Sequence, residues 1–519
     1  MYRAVAALGF VGLFLVIGCS EPPADLVIRN GLVVDGSGNV PAVKDIVVRA
    51  GRIASIEDHA EAKGILEIDA TGLAVSPGFI DVHSHVDQEL LDQPDNHNNI
   101  LQGITTVVGG NCGHSPVDMG GFFAQLEEKG TTANVACLIG HNSVREEVMG
   151  FRAAEASAAE LTEMQGLVRA AMKAGALGLS TGLLYPPGTF ASFEEVLALA
   201  QVVAGFDGLY ASHIRNEEHQ IWEAVDEVLR IGQGAGIRTQ ISHIKLAADA
   251  FWGQASRYRN LLSDSRKGGL RVRADQYPYP AGSATLENIL PRWTLDGGRE
   301  AFLERAKDPA TRARIIQGIL EGRLASARGV NRGEIVYISR CEAHPACEGK
   351  NLLQRCEEKG FEPTPENAAE MAIRLLEDGP VSAVNFLMSE ADVRTFLVDP
   401  EIMISTDGGV TQYGEGVPHP RNYGTYPRLL GKYVREEGLL TLEEAIRKCT
   451  SLPASHMGFE GRGYLKPGNW ADIVVFDPAT IIDMATFQQP HQYPEGIRYV
   501  VVNGTVTVEG KQIKGPRGG

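Results

Sequence analysis

The run Gly78-Phe-Ile-Asp-Val-His-Ser-His85 constrains this chain more than any other stretch. Phe79, Ile80 and Val82 favour a strand, and that strand closes on two histidines one residue apart. Side chains at i and i+2 of a strand point the same way. The pair therefore presents two imidazoles on one side of a strand end, suited to one metal ion, with Asp81 in the same register. A histidine pair alone also fits an ordinary surface or core pair, so its weight comes from the pieces that follow it.

Those pieces are strands. Candidates at 76–85, 104–109, 133–140, 176–181, 208–214, 237–243, 271–276 and 401–407 alternate with helical patterns that include 153–174, 193–204, 217–232 and 440–449. Eight strands with intervening helices is the count of a (β/α)8 barrel. Residues 290–390 add candidate strands at 334–339 and 381–388, which reads as an insertion after strand seven. Short strands at 26–28, 32–34, 45–48 and 52–56 are punctuated by Asn30-Gly31, Asp35-Gly36 and Ala50-Gly51, and the same texture returns at 472–476, 499–502 and 505–508. Two β-rich ends predict a small β-sandwich domain from 25–75 plus 460–519, attached to an α/β barrel of 76–459. The 519 residues exceed one ordinary core, which agrees with a barrel plus an appendage.

The first residues read as an address. Arg3 precedes an apolar run at 5–17 that is too short for a comfortable membrane span. The ending Val16-Ile17-Gly18-Cys19 resembles the lipobox of bacterial lipoproteins. That resemblance implies a signal peptide at 1–19 whose Cys19 is acylated and becomes the mature N-terminus, with 20–24 as a tether. Ser20 in the next position points, in a Gram-negative cell, to the periplasmic side of the outer membrane. A net charge of −17 argues against nucleic acid and anionic membrane surfaces as partners. A lipid anchor needs no basic patch. Six cysteines remain, without a CxxC or dense spacing, which argues against a disulfide scaffold. Pairing of Cys341 with Cys347 stays open in an exported protein.

Polar residues line up on the candidate strand ends. His83 and His85 close strand one, Cys112 follows strand two, His213 closes strand five, His243 strand six and Asp407 strand eight. All fall at the carboxyl end of a parallel barrel, where such barrels carry their active sites. Imidazole, thiolate and carboxylate are zinc's ligand types. Singly, each has an ordinary reading as a satisfied polar group or a small buried hydrophobe. Together they predict a metal centre, and six groups suit two ions sharing a bridging ligand better than one tetrahedral ion. Lys245, two residues after His243, and Arg421, in His419-Pro-Arg421, are candidates to bind a substrate anion.

The chain resembles the amidohydrolase superfamily and, within it, the N-acyl-D-amino-acid deacylases (D-aminoacylases). The matching segments are Ser76 to His85, Gly110-Asn-Cys-Gly113, Ser180-Thr-Gly-Leu-Leu-Tyr-Pro-Pro-Gly188, Ile241-Ser-His-Ile-Lys245, Asp275-Gln-Tyr-Pro-Tyr-Pro-Ala-Gly-Ser283, His419-Pro-Arg421 and Gly468-Asn-Trp-Ala-Asp-Ile-Val-Val-Phe-Asp477. The resemblance implies that Cys112, His213 and His243 hold the tighter Zn2+. His83, His85 and Asp407 would surround a second position, and Cys112 would be able to bridge. It implies that Lys245, Tyr277, Ser283 and Arg421 contact substrate. The activity implied is hydrolysis of the amide of N-acyl-D-amino acids, with a water acidified by the metal and Asp407 as general base and acid. Rival readings are hydrolysis of dipeptides with a C-terminal D-residue or of acidic N-acyl-D-amino acids, a cyclic-amide hydrolase, and a non-catalytic binding lipoprotein. A cyclic-amide hydrolase would favour a lysine at the end of strand four, where this chain has Leu179-Ser-Thr-Gly182. His114 and Ile244 depart from residues common in that branch.

Overall fold

The computed structural model describes residues 22–325 and 331–519, so Cys19 and the leader lie outside the described residues. Eight parallel strands form the expected barrel: Phe79–Asp81, Ile104–Gly109, Asn134–Cys137 continued by Ile139–Gly140, Gly178–Gly182, Leu209–His213, Arg238–Ile241, Val272–Gln276 and Ile402–Ile404. Most of these residues are buried, as strands covered on both faces must be. The ring is closed by the candidate site itself. Asp407 N–H donates to the His83 carbonyl at 2.8 Å, and His85 N–H donates to the Gly408 carbonyl at 2.7 Å.

Local signals set the bounds of some helices. Ser157 and Glu160 form a reciprocal capping box ahead of Ala158–Lys173, so the helical pattern expected from 153 starts five residues later. Ile221–Ala235 buries Ile221, Ala224, Val225, Val228 and Ile231 at helical spacing and stops at Gly236, which adopts the left-handed conformation. It starts four residues after the expected 217, which leaves Glu217 in the loop at the barrel mouth.

The insertion after strand seven starts earlier than residue 290. Its first strand is Gly282–Thr285, which pairs antiparallel with Val381–Asn385, and that strand pairs with Val336–Cys341. Phe302, Ile315, Ile338, Leu352, Ile373 and Leu376 belong to its own apolar core. Cys341 and Cys347 are buried there as free thiols in contact with each other. His344, between them, pairs with Asp378 at 2.7 Å.

Both chain ends meet in a nine-stranded sheet folded over Leu26, Ile46, Val48, Ile473, Val475 and Val501. Ala74–Pro77 pairs there with Ile473–Phe476, so the barrel starts only after Gly78. A Cβ on Gly78 would lie 2.0 Å from Thr105 Oγ1, so glycine is required at this close crossing. The expected turn at Asn30-Gly31 is instead a bulge inside one strand, Ala24–Val33. Asn30 takes a φ of 57°, and the extra residue leaves both halves paired with the same neighbour. Among the described residues, no helix is long and apolar enough to cross a membrane.

Lys448, on the helix Leu442–Cys449, is fully buried and donates to the Asp399 carbonyl. Burial pushes its ammonium down from near 10.5 to about 8. Below pH 8 both folded and unfolded chains hold the proton, and the burial cost is complete. Between pH 8 and 10.5 only the unfolded chain holds it, so stability rises with pH by about 3 kcal/mol. Lys448→Met is expected to remove this rise. At pH 7 it should gain about 2 kcal/mol, after the lost hydrogen bond is set against the relieved charge. Urea unfolding from pH 7 to 10.5 checks it, and an unchanged slope in the variant would count against this account.

Candidate metal centre and substrate cavity

Cys112 sits at the middle of the site. Its Sγ lies 3.3 Å from His83 Nε2, 3.4 Å from His243 Nε2 and 3.6 Å from His213 Nδ1. Zinc bonds of about 2.3 Å to sulfur and about 2.0 Å to nitrogen, at a tetrahedral angle, place S and N about 3.5 Å apart. The observed spacings therefore match the edges of a zinc coordination shell. Asp407 Oδ1 lies 3.1 Å from His85 Nε2 and 3.4 Å from His83 Nε2. His83, Cys112, His243 and Asp407 each offer one ligand atom within 4.8 Å of the others. All six sequence candidates are brought together, and Cys112 faces three imidazoles.

The backbone brings most of these residues together from turns and not from the strand ends expected of them. Strand one ends at Asp81 and strand eight at Ile404, so His83, His85 and Asp407 lie on the turns beyond. His243 is two residues past strand six. Cys112, His243 and Asp407 have φ of 52°, 35° and 49°, left-handed values that non-glycine residues adopt at a cost. Three left-handed side chains at one point mark a geometry imposed by the surrounding fold. Asp81 does not join the cluster; its carboxylate accepts from Thr406 N–H at 2.9 Å and from the Thr406 hydroxyl.

The protein alone does not stabilise a thiolate here. Burial, reinforced by the Asp407 carboxylate, pushes the Cys112 thiol well up. Burial also holds His83 and His213 below their ordinary values, so neither supplies the missing positive charge. A cation at the centre would supply it. For Asp407, burial opposes ionisation but is outweighed, first by Arg421 and then by His243 and His85, and the carboxyl lies well below its usual range. Arg421 Nη1 is 2.7 Å from Asp407 Oδ2.

Above the cluster lies a cavity of about 930 Å³, bounded on one side by the barrel mouth and on the other by Ser283, Ser382 and Asn385 of the insertion. Lys245, Tyr277, Ser283 and Arg421 all line it. Tyr277 is 2% exposed, and among the described residues neither its hydroxyl nor Arg421 Nε has a hydrogen-bond partner. Buried donors without partners facing a cavity are suited to a ligand's oxygens. The loop before Arg421 is wired to hold it, because His419 Nδ1 accepts from Arg421 N–H at 3.0 Å while Nε2 donates to the Ala281 carbonyl at 2.9 Å.

Sequence reasoning missed two acids. Asp275 lies under the site, accepting from His243 N–H at 2.9 Å and from the Ser405 hydroxyl at 2.7 Å, with its Oδ1 3.5 Å from His83 Nδ1. Glu217 lies beside His213, His243 and Lys245. Asp275 lies in a quoted motif, but nothing in Asn216-Glu-Glu218 separates one glutamate from the next.

Residues 66–273 and 344–508 match the amidohydrolase family, leaving out 274–343, where the insertion begins. The chain belongs to that family, in its N-acyl-D-amino-acid deacylase branch. It is 36% identical to an N-acyl-D-glutamate deacylase of Alcaligenes xylosoxydans xylosoxydans over 92% of this chain and 93% of that one. A D-aminoacylase of the same organism is 34% identical over 96% and 97%. The crystal structure of an N-acyl-D-glutamate deacylase from Bordetella bronchiseptica, complexed with zinc and a phosphonate mimic of the tetrahedral intermediate, superposes with a TM-score of 0.80 at 35% identity. It covers 94% of this chain and 97% of that one.

Proposed function

We propose that this amidohydrolase is a zinc enzyme that removes the acyl group from N-acyl-D-amino acids. The observation that carries the reading is Cys112, whose sulfur stands at zinc-ligand spacing from three imidazoles beneath a cavity lined with unpaired donors. Cys112, His213 and His243 hold the tighter ion in this reading. His83, His85 and Asp407 would hold a second ion. The preference for D over L rests on the relatives alone, whose names specify D-amino acids.

A divalent ion supplies, when bound, a Lewis acid for the amide carbonyl and a lower pKa for water. The chain's own residues do the rest. Asp407 takes the proton of the attacking water and returns it to the leaving amine nitrogen, without which the C–N bond breaks slowly. Arg421, Lys245, Tyr277 and Ser283 receive the substrate's carboxylate. Arg421 has two partners in prospect, Asp407 and that carboxylate. As the substrate draws its charge, the Asp407 carboxylate loses one of the influences holding it below its usual range and becomes a better base. Substrate anchoring and base strength are thereby linked through one guanidinium.

Cys19 completes the proposal from sequence alone: acylated, it would tether the enzyme to the periplasmic side of an outer membrane. Radiolabelled palmitate incorporation, lost in Cys19→Ala, tests it. The activity is tested by offering the zinc-loaded enzyme N-acetyl-D and N-acetyl-L amino acids, acidic and apolar, and L-Xaa-D-Xaa dipeptides. Cleavage of N-acetyl-D-amino acids is expected; turnover confined to L-substrates or to cyclic amides would remove the reading.

A further inference from the structure

Glu217 stands behind two of the three histidines that face Cys112. His213 points Nδ1 at the sulfur, and its Nε2 lies 3.7 Å from Glu217 Oε1. His243 points Nε2 at the sulfur, and its Nδ1 lies 3.2 Å from the same oxygen. Lys245 Nζ donates to that oxygen at 2.6 Å and stands 2.7 Å from His243 Nδ1. The carboxylate is buried, and His213 Nε2 has no hydrogen-bond partner among the described residues, with Glu217 Oε1 at 3.7 Å beside it. His213, Glu217 and His243 also cluster closely enough to resemble a second metal site. The Lys245 ammonium already occupies that spot, so the cluster carries its own cation.

We infer that Glu217 is a positioning residue that sets the metal-facing nitrogens of His213 and His243 and, through Lys245, ties metal loading to substrate anchoring. This rests on the zinc reading above. An imidazole that gives one nitrogen to a cation must carry its proton on the other. With Nδ1 of His213 and Nε2 of His243 turned to the centre, both protons face Glu217 Oε1, which is within hydrogen-bond reach of His243 Nδ1 at 3.2 Å and a few tenths of an ångström beyond it for His213 Nε2 at 3.7 Å. His243 Nδ1 is then a donor, and the ammonium 2.7 Å away is also a donor. That contact cannot persist as a hydrogen bond. Lys245 keeps Glu217 and turns from His243 toward the cavity it lines, where the substrate carboxylate is to bind. A filled metal site thus presents a freed lysine.

The test compares wild type, Glu217→Gln, Glu217→Asp and Glu218→Gln, the last at the neighbouring glutamate that pairs with Arg323. Zinc affinity is read by chelator competition, the ligand field by the absorption spectrum of the cobalt-substituted protein, and anchoring by the split between KM and kcat. Glu217→Gln is expected to bind zinc about 10–100-fold more weakly, the usual range for losing an outer partner of a ligand histidine. Its cobalt spectrum should shift and its KM should rise more than its kcat falls. Glu217→Asp, which keeps the charge but withdraws it, should fall between, and should decide the matter if the glutamine variant does not fold. Glu218→Gln should keep wild-type zinc affinity. Zinc affinity within twofold of wild type and an unchanged cobalt spectrum in both Glu217 variants would overturn the inference. If wild type itself binds no zinc, or if Cys112→Ala binds it as well as wild type, the metal reading fails, and with it this inference.

Discussion

Asp407→Asn should lower kcat by about 10²–10⁴-fold, the range that a positioned acid–base group contributes, while zinc stays bound at Cys112, His213 and His243. The amide matches the carboxylate in shape, so the change leaves no void beside His83 and His85. It cannot accept the water's proton, and it cannot return one to the leaving nitrogen. It also leaves Arg421 without the anion now 2.7 Å from its Nη1. The freed guanidinium can turn wholly to the substrate, so KM should stay level or fall while kcat collapses. Such a split separates loss of the base from loss of the site. Breaking a buried ion pair from one side costs about 3–5 kcal/mol, so the variant should melt earlier and is best assayed in the cold. Steady-state kinetics with an N-acetyl-D-amino acid, alongside zinc content, checks all three parts. Retention of full kcat would remove Asp407 from the mechanism.

Cys112→Ala should weaken zinc binding by more than about a hundredfold, beyond the loss expected for an outer partner. The sulfur is the one atom in contact with nitrogens of His83, His213 and His243, so its removal leaves three imidazoles without a shared anion. Binding that favours the folded state raises its melting temperature in proportion to the logarithm of ligand over Kd. Wild type should therefore show a clear thermal shift with micromolar zinc, and the alanine variant little or none. In the absence of zinc, the two should melt within a few degrees of each other. The thiol is small, and its ionisation is already opposed by burial and by Asp407. An equal zinc-induced shift in both proteins would show that Cys112 is not a ligand.

The clustered residues were legible jointly: singly each has an ordinary use, but six residues of metal-binding type recur in order at candidate strand ends along the chain. His83 and His85 were found by strand parity, although the strand stops at Asp81 and the two side chains converge from a turn. Parity worked because the loop closes the ring, with the His85 and Asp407 backbones bonded across it. Asp81 failed the same argument: it is still in the strand, so its side chain meets Thr406 under the site. Tyr277 and Ser283 were reached through resemblance. Their own spacing says nothing of a cavity whose far side is formed by a separate insertion.

By itself the sequence determined the barrel and the flanking sheet, because strand period, turn residues and helix caps are local properties. It also determined the inventory of candidate ligands, since residue type decides what an atom can bind. Only the tertiary structure decided which atoms face one another. The left-handed backbones of Cys112, His243 and Asp407 aim three side chains at one point, and the surrounding packing, not the local sequence, supplies the energy that holds them there. It also separated two adjacent and identical residues. Glu217 turns inward to Lys245 and the histidines, and Glu218 to Arg323, because the loop between strand five and its helix is shaped by neighbours distant in sequence.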